Sequence, residues 1–416
     1  MRDLILCVLI AMFLPALVLA EEIDYLVPAY TPEALAKVRE WEKTWVGKKI
    51  DKTNIDEVAE FLPESYVGTY KNPDKWGAPS EGLYFNIAPF RPIAATPGQI
   101  ESTKKYSKLV KTDAEGNLIN YVELAGFPFP NPKTGRELAY NFEFNSEGDS
   151  YHNRQYSPTI NPRKRTDRYT DFEYWSLYFV HRCEVEPRPA LPNNPKGYHK
   201  GLFLHMYLPP EMLNTRMFTM RFVDPEKKDD QYLYYAQYRR IRRMSTAERE
   251  NSIDGTDLIY DDGNQWDGHF SRNTYKYMGR KDMLSARHQD RSKLQRRTGQ
   301  GIPNNFDLER CNLYVVEVKS KNPNYVYKKR TWYIDPESFY VMWQDTYDKL
   351  DRFWKTFMVY TNDYKTDQGH MRSMIGGMVL QDFQRTHSGF MDTKYLEISG
   401  EVSPSMYSMS NLQKTY

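Results

Sequence analysis

Side chains of like character recur at every second residue through one segment after another of this chain, a period that suits a strand and not an amphipathic helix. Over residues 201–208 the apolar set is Leu202, Leu204, Met206 and Leu208; over 216–223 it is Phe218, Met220 and Phe222; over 312–319 it is Tyr314, Val316 and Val318. Residues 172–180 alternate in the same way. Residues 326–334 and 339–347 flank Asp335-Pro336-Glu337-Ser338, where the proline presets the turn of a hairpin. The densest run lies in residues 231–284, where Tyr238, Arg240 and Arg242 fall on one side of a strand and Arg239, Ile241 and Arg243 on the other. Such a pattern predicts rows of guanidinium groups on a broad sheet. Thirty-three tyrosines also suit half-buried strands. No alternation of strands with helices points to parallel pairing, so an antiparallel sheet is expected.

The chain opens differently. Arg2 precedes a nearly unbroken apolar stretch, residues 4–19, and Val18-Leu19-Ala20 ahead of Glu21-Glu22 has the form of an export-signal cleavage site. The stretch is short for a membrane span, so cleavage near Ala20 and export to the periplasm are expected, with a retained anchor as the alternative. Removing the signal also removes Cys7. Cys183 and Cys311 then remain, either joined as a disulfide in an oxidising compartment or left as two buried thiols. Beyond the signal, Thr31 is placed to cap a helix that has Pro32 in its first turn, a stripe of Leu35, Val38, Trp41 and Trp45, and Gly47 at its end. A second short helix is expected from Asn54, carrying Ile55, Val58, Phe61 and Leu62 up to Pro63. Frequent prolines and glycines in residues 71–99 predict an extended segment wrapped over the sheet. Residues 118–123 read as a strand, followed by the proline-rich loop Gly126-Phe127-Pro128-Phe129-Pro130, whose two aromatics are exposed or docking.

Several ordered blocks together resemble one family. They are the Gly126–Pro130 loop, Tyr238-Arg239-Arg240-Ile241-Arg242-Arg243, Gly255-Thr256-Asp257-Leu258, Trp266-Asp267-Gly268-His269, Tyr277-Met278-Gly279-Arg280-Lys281-Asp282-Met283, Val315-Val316-Glu317-Val318, and Tyr327-Lys328-Lys329-Arg330-Thr331-Trp332-Tyr333-Ile334-Asp335. The chain resembles domain-of-unknown-function family 1329 over nearly all of its length, departing at Gln265-Trp266 and at Cys311 and Asn312. Members are often described as similar to outer-membrane lipoprotein-sorting proteins. The resemblance implies a mainly β (α+β) fold: a large curved antiparallel sheet, or half-barrel, with helices covering its concave face. Residues 1–20 are then the signal peptide, and 21–117 an N-terminal helical and extended segment packed on the sheet. Residues 118–416 are the half-barrel core, forming one domain with that segment. It also implies a periplasmic protein that binds or shuttles a lipid or other hydrophobic molecule, in partnership with an exporter of the resistance-nodulation-division (RND) superfamily or an outer-membrane protein.

On that basis Leu204, Met206, Phe218, Met220, Phe222, Val316, Val318, Trp332 and Trp343 are the candidates for lining a ligand cavity, with a fully packed core as the alternative. Arg240 and Arg242 are candidates for a polar head group, since guanidinium forks fit phosphate and carboxylate, and peripheral membrane contact is compatible with them. No catalytic residues, metal or cofactor are assigned. No nucleophile elbow, zinc helix, phosphate loop or dinucleotide fingerprint is present. Asp254, Asp257, Asp261, Asp262, Asn264 and Asp267 invite a calcium reading, but Gly263, Gln265 and Trp266 break the ligand spacing, so a solvated hairpin loop is expected there. A formal net charge of +2 excludes a strongly basic nucleic-acid-binding surface, and a mean hydropathy of -0.76 describes a very polar exterior. An adaptor that carries nothing, and an unrecognised hydrolase, are the other functional readings.

Overall fold

The computed structural model describes residues 29–145, 147–163, 165–244, 249–253, 255–296 and 299–414; the expected export signal lies outside them. The helices are α1 (Pro32–Trp45), α2 (Glu64–Lys71), α3 (Pro97–Tyr106), α4 (Gly135–Phe144) and α5 (Met409–Gln413). The strands before the main crossover are β1 (Lys49–Ile50), β2 (Phe85–Ala88), β3 (Ser150–Ile160), β4 (Thr166–Tyr178), β5 (Tyr198–Leu208), β6 (Arg216–Phe222), β7 (Asp230–Tyr235) and β8 (Arg240–Arg243). After it come β9 (Asn273–Ser285), β10 (Phe306–Ser320), β11 (Lys329–Ile334), β12 (Val341–Tyr347), β13 (Phe353–Lys365), β14 (Met371–Asp382) and β15 (His387–Ile398).

All of these strands join one curved sheet that does not close into a barrel. From β10 the order runs β11 to β15 and then β3 to β8, so the pairing of β15 with β3 brings the end of the chain beside its middle. Glu309 pairs with both Ala88 of β2 and Ser285 of β9, which places β9 on the opposite side of β10 from β2. The long sheet therefore ends in β9 at one edge and β8 at the other. These are the strands that carry Arg280 and Lys281, and Arg240 to Arg243. Charged side chains on an edge discourage a second chain from adding to it.

The expected helix cap is present: the Thr31 hydroxyl accepts the Ala34 N–H ahead of α1, and Gly47 takes φ +82° after it. The Asn54 helix is a 3-10 helix, Ile55–Phe61. Four sequence expectations are corrected. Residues 71–99 do not simply wrap the sheet, because β2 enters it, parallel to β10, the one parallel pair among the described strands. Residues 118–123 form a single bridge, Leu118 to Thr112, and a 3-10 turn, Tyr121–Glu123, in place of a strand. The arginine run is a hairpin at an edge, with Arg239 in the turn at φ +50°. Cys183 and Cys311 are not joined to each other but buried in separate clusters, Cys311 beside Arg287 and Cys183 among Tyr106, Leu124 and Phe144.

The two faces of the sheet have different covers. On the outer face, α1, the 3-10 helix and α2 pack Val38, Ile55, Val58 and Tyr66 against Leu313, Trp343, Met358 and Val379. Farther along the same face, the C-terminal segment sets Tyr407 and Leu412 on Phe203, Phe218 and Met220. On the inner face, α4 and residues 256–270 pack Leu138, Ile259, Trp266 and Phe270 against Val316, Val318 and Trp332. Among the described residues, no helix is long and apolar enough to cross a membrane.

Candidate functional site

The inner face is packed at one end and open at the other. Beyond the Trp332 cluster, strands β3 to β7, β14 and β15 and residues 249–253 and 256–267 line a partly open cavity of about 180 Å³. Leu202, Leu204 and Met206 of β5, Met217 of β6, Met378 of β14 and Met391 of β15 supply most of its apolar wall, with Ile253 and Leu258 from the covering segment. Small-molecule pockets usually exceed about 300 Å³, but a methionine wall adjusts its rotamers at little cost, so the slot suits a slender chain.

The sheet register decides which candidates reach this space. Leu204 pairs with Met217, whereas Phe218 pairs with Phe203, and directly paired residues share a face. Leu204 and Met206 therefore line the cavity, while Phe218 and Met220 lie on the outer face beneath Tyr407 and Leu412. Phe222 shares their parity, packs against Tyr198 and has the Lys227 ammonium over its ring. Val316, Val318 and Trp332 are on the inner face but inside the packed cluster, where the Trp332 indole N–H donates to Gln344 at 2.7 Å. Trp343 is on the outer face, edge-on to Tyr66. The candidate set thus divides between two faces, because alternation within β5 and within β6 does not fix the register between them. Arg240 and Arg242 share the inner-face parity, through the pairs Tyr235 to Arg240 and Leu233 to Arg242, but sit exposed on the edge strand and outside the cavity wall.

Sequence reasoning missed the segment that closes the site. Residues 256–267 are a buried cover held down by their acidic side chains, not a solvated loop. Tyr325 donates to Asp261 at 3.0 Å, and Tyr327 to Asp262 at 2.9 Å. Asp267 anchors the centre: it accepts from Lys200 at 2.8 Å, from Arg221 at 2.9 Å and from Arg249 at 3.0 Å. Arg221 also meets Asp229 at 3.1 Å, and Arg249 meets Asp261 at 2.7 Å. Burial alone would raise the Asp267 carboxyl, but the three cations outweigh it and hold the group well below the usual carboxylate range. Gly268 lets the chain turn under Trp266, whose ring would lie 2.1 Å from an added Cβ. The Trp266-Asp267-Gly268-His269 motif was the available signal, but its partners are 18 to 67 residues away in sequence.

Neighbouring polar groups are left less well paired. Glu143 of α4 is buried against Tyr121, His199 and Phe270, and burial pushes its carboxyl up to about 7. His199 and His181 are held neutral by burial, His181 down to about 3. Among the described residues no group of three His, Cys, Asp or Glu side chains has metal-binding geometry.

A search of curated proteins finds no match to the chain. Among solved structures it is similar to a DUF1329 family protein from Desulfovibrio piger, at 16% identity and a TM-score of 0.49 over 67% of this chain and 98% of that one. It is also similar to a putative outer membrane lipoprotein-sorting protein domain from Vibrio parahaemolyticus, at 16% identity and a TM-score of 0.48 over 67% and 98% of the two chains. A LolA superfamily protein, NE2245 from Nitrosomonas europaea, aligns at 10% identity and a TM-score of 0.42 over 67% of this chain and all of that one (100%). The profile described as "Protein of unknown function (DUF1329)" matches residues 49–412, and the chain belongs to that family.

Proposed function

We propose that this protein is a non-enzymatic periplasmic carrier that holds a lipid or other hydrophobic molecule in the inner-face cavity and passes it between membranes, with an RND-type exporter as its partner. The observation that carries the reading is the apolar wall of Leu202, Leu204, Met206, Met217, Met378 and Met391 along one side of a partly open cavity, which a ligand-free adaptor does not need. The cover over that space is tied down by ion pairs and hydrogen bonds instead of being packed solidly into it. Ion pairs among Lys200, Arg221, Arg249 and Asp267 hold the cover in a largely buried setting, yet leave the methionines free to adjust.

The test uses N-phenyl-1-naphthylamine, an uncharged probe that brightens in apolar surroundings. Wild-type protein is expected to bind it. Met217→Trp, which fills the cavity from β6, is expected to abolish the signal, whereas Phe218→Ala, on the other face of the same strand, retains it despite a stability loss of about 3–5 kcal/mol. Absence of binding by the wild type, or equal binding by Met217→Trp, would defeat the carrier reading in favour of an adaptor.

A further inference from the structure

The apolar cavity does not end at the ion cluster. A narrow space of about 50 Å³ adjoins it, sharing the walls Glu147, Lys200 and Asn264. On its far side this passage shares Glu143 and Phe270 with a groove of about 510 Å³ at the surface. Polar side chains therefore stand between the surface groove and the Leu–Met wall.

The chemistry of that constriction is specific. Its cations are already committed: Lys200 to Asp267 at 2.8 Å, and Arg221 to Asp267 at 2.9 Å and Asp229 at 3.1 Å. Behind them Arg249 is held by Asp261 at 2.7 Å, so three cations face three carboxylates. Of the side-chain atoms lining this space, Glu143 Oε2, His199 Nε2 and Trp266 Nε1, all buried, lack a close hydrogen-bond partner among the described residues, with the Tyr121 hydroxyl near Glu143. A buried polar atom left unpaired is costly, so each is a place for a ligand atom to hydrogen-bond. Burial favours the uncharged forms of Glu143, Glu147 and His199, and the indole N–H is a neutral donor.

We infer that the passage is a head-group site for an uncharged, hydroxyl-bearing amphiphile whose chain lies along the Leu–Met wall, and that it discriminates against anionic heads. A carboxylate or phosphate there would be stripped of water and meet only cations already neutralised by aspartates. A hydroxyl, in contrast, donates to one of the open acceptors and accepts from Trp266. The inference rests on the carrier reading above, and it specifies the polar end of the cargo.

The experiment compares 1-palmitoylglycerol with palmitate at pH 7.5 as displacers of N-phenyl-1-naphthylamine from the purified protein. The expected result is that 1-palmitoylglycerol competes at least about tenfold more tightly, because a hydroxyl can be hydrogen-bonded there while a buried carboxylate finds no uncommitted cation. Glu143→Leu is expected to weaken 1-palmitoylglycerol by about tenfold and to leave palmitate unchanged or improved, with Trp266→Phe as the parallel variant should Glu143→Leu fail to fold. Palmitate binding as tightly as the glyceride, neither compound displacing a bound probe, or an unchanged preference in a folded variant would overturn the head-group site while leaving the carrier reading intact. Failure of the wild type to bind the naphthylamine itself would instead remove the carrier reading, and the head-group site with it.

Discussion

Asp267 is the residue on which the cover depends. Replacing it with alanine leaves Lys200, Arg221 and Arg249 facing only Asp229 and Asp261, and an uncompensated buried charge is expensive. Asp267→Ala is expected to lower stability by about 3 kcal/mol, the low end for a broken buried pair because the Asp267 side chain keeps 23% of its exposure; urea denaturation measures it. His181 sets an acid limit. Its imidazole is held down to about 3 by burial, against an ordinary value of 6.5, so between those values the unfolded chain binds a proton that the fold refuses. Its contribution is fully present above pH 6.5 and is lost as the pH falls. Glu143 acts oppositely, since its raised carboxyl contributes stability below pH 4.5 that is lost as the pH rises through about 7. His181→Asn, which tolerates the φ of +62° there, is therefore expected to flatten the acid side of the stability profile, where the wild-type residue costs up to about 1.4 kcal/mol per pH unit; denaturation at pH 6.5, 5 and 4 checks it. Neither role was legible in sequence. The acidic run was visible, but the neutralising partners of Asp267 come from β5, β6 and the start of the cover, and only folding brings them within 3 Å.

At the scale of elements, period and caps were legible where local chemistry decides. The capped helix α1, the hairpin of β11 and β12 with Asp335 accepting the Glu337 and Ser338 N–H groups, and the alternating strands β5, β6 and β10 all stand where their patterns put them. Residues 118–123 alternate as a strand would, yet they pair only through the Leu118 to Thr112 bridge and close into a turn. Four residues of β2 sit among prolines and glycines and become a strand because β10 offers them a parallel partner on one side and β1 an antiparallel one on the other. The C-terminal helix α5 is another element that exists for its contacts, with Leu412 wholly buried on the outer face of β6. Leu412→Ala is expected to cost about 2–5 kcal/mol in thermal or urea unfolding and to leave probe binding in the inner cavity unchanged, since the two sites lie on opposite faces of the sheet.

For the molecule as a whole, the separation of Cys183 and Cys311 into different clusters predicts that non-reducing peptide mapping finds no Cys183–Cys311 crosslink; recovery of the crosslinked peptide would restore the disulfide. The sequence by itself determined the class of the fold, the family, and the apolar character of the strands, because a two-residue period and short turns are local properties that each segment expresses alone. Only the tertiary structure decided which apolar face encloses space and which is packed. Periodicity says that alternate side chains point the same way within one strand. It does not say how neighbouring strands are aligned, and a shift of one residue moves every side chain to the opposite face. Met217 and not Phe218 lines the cavity for that reason, and the acidic cover over it exists because three cations from distant segments converge on Asp267.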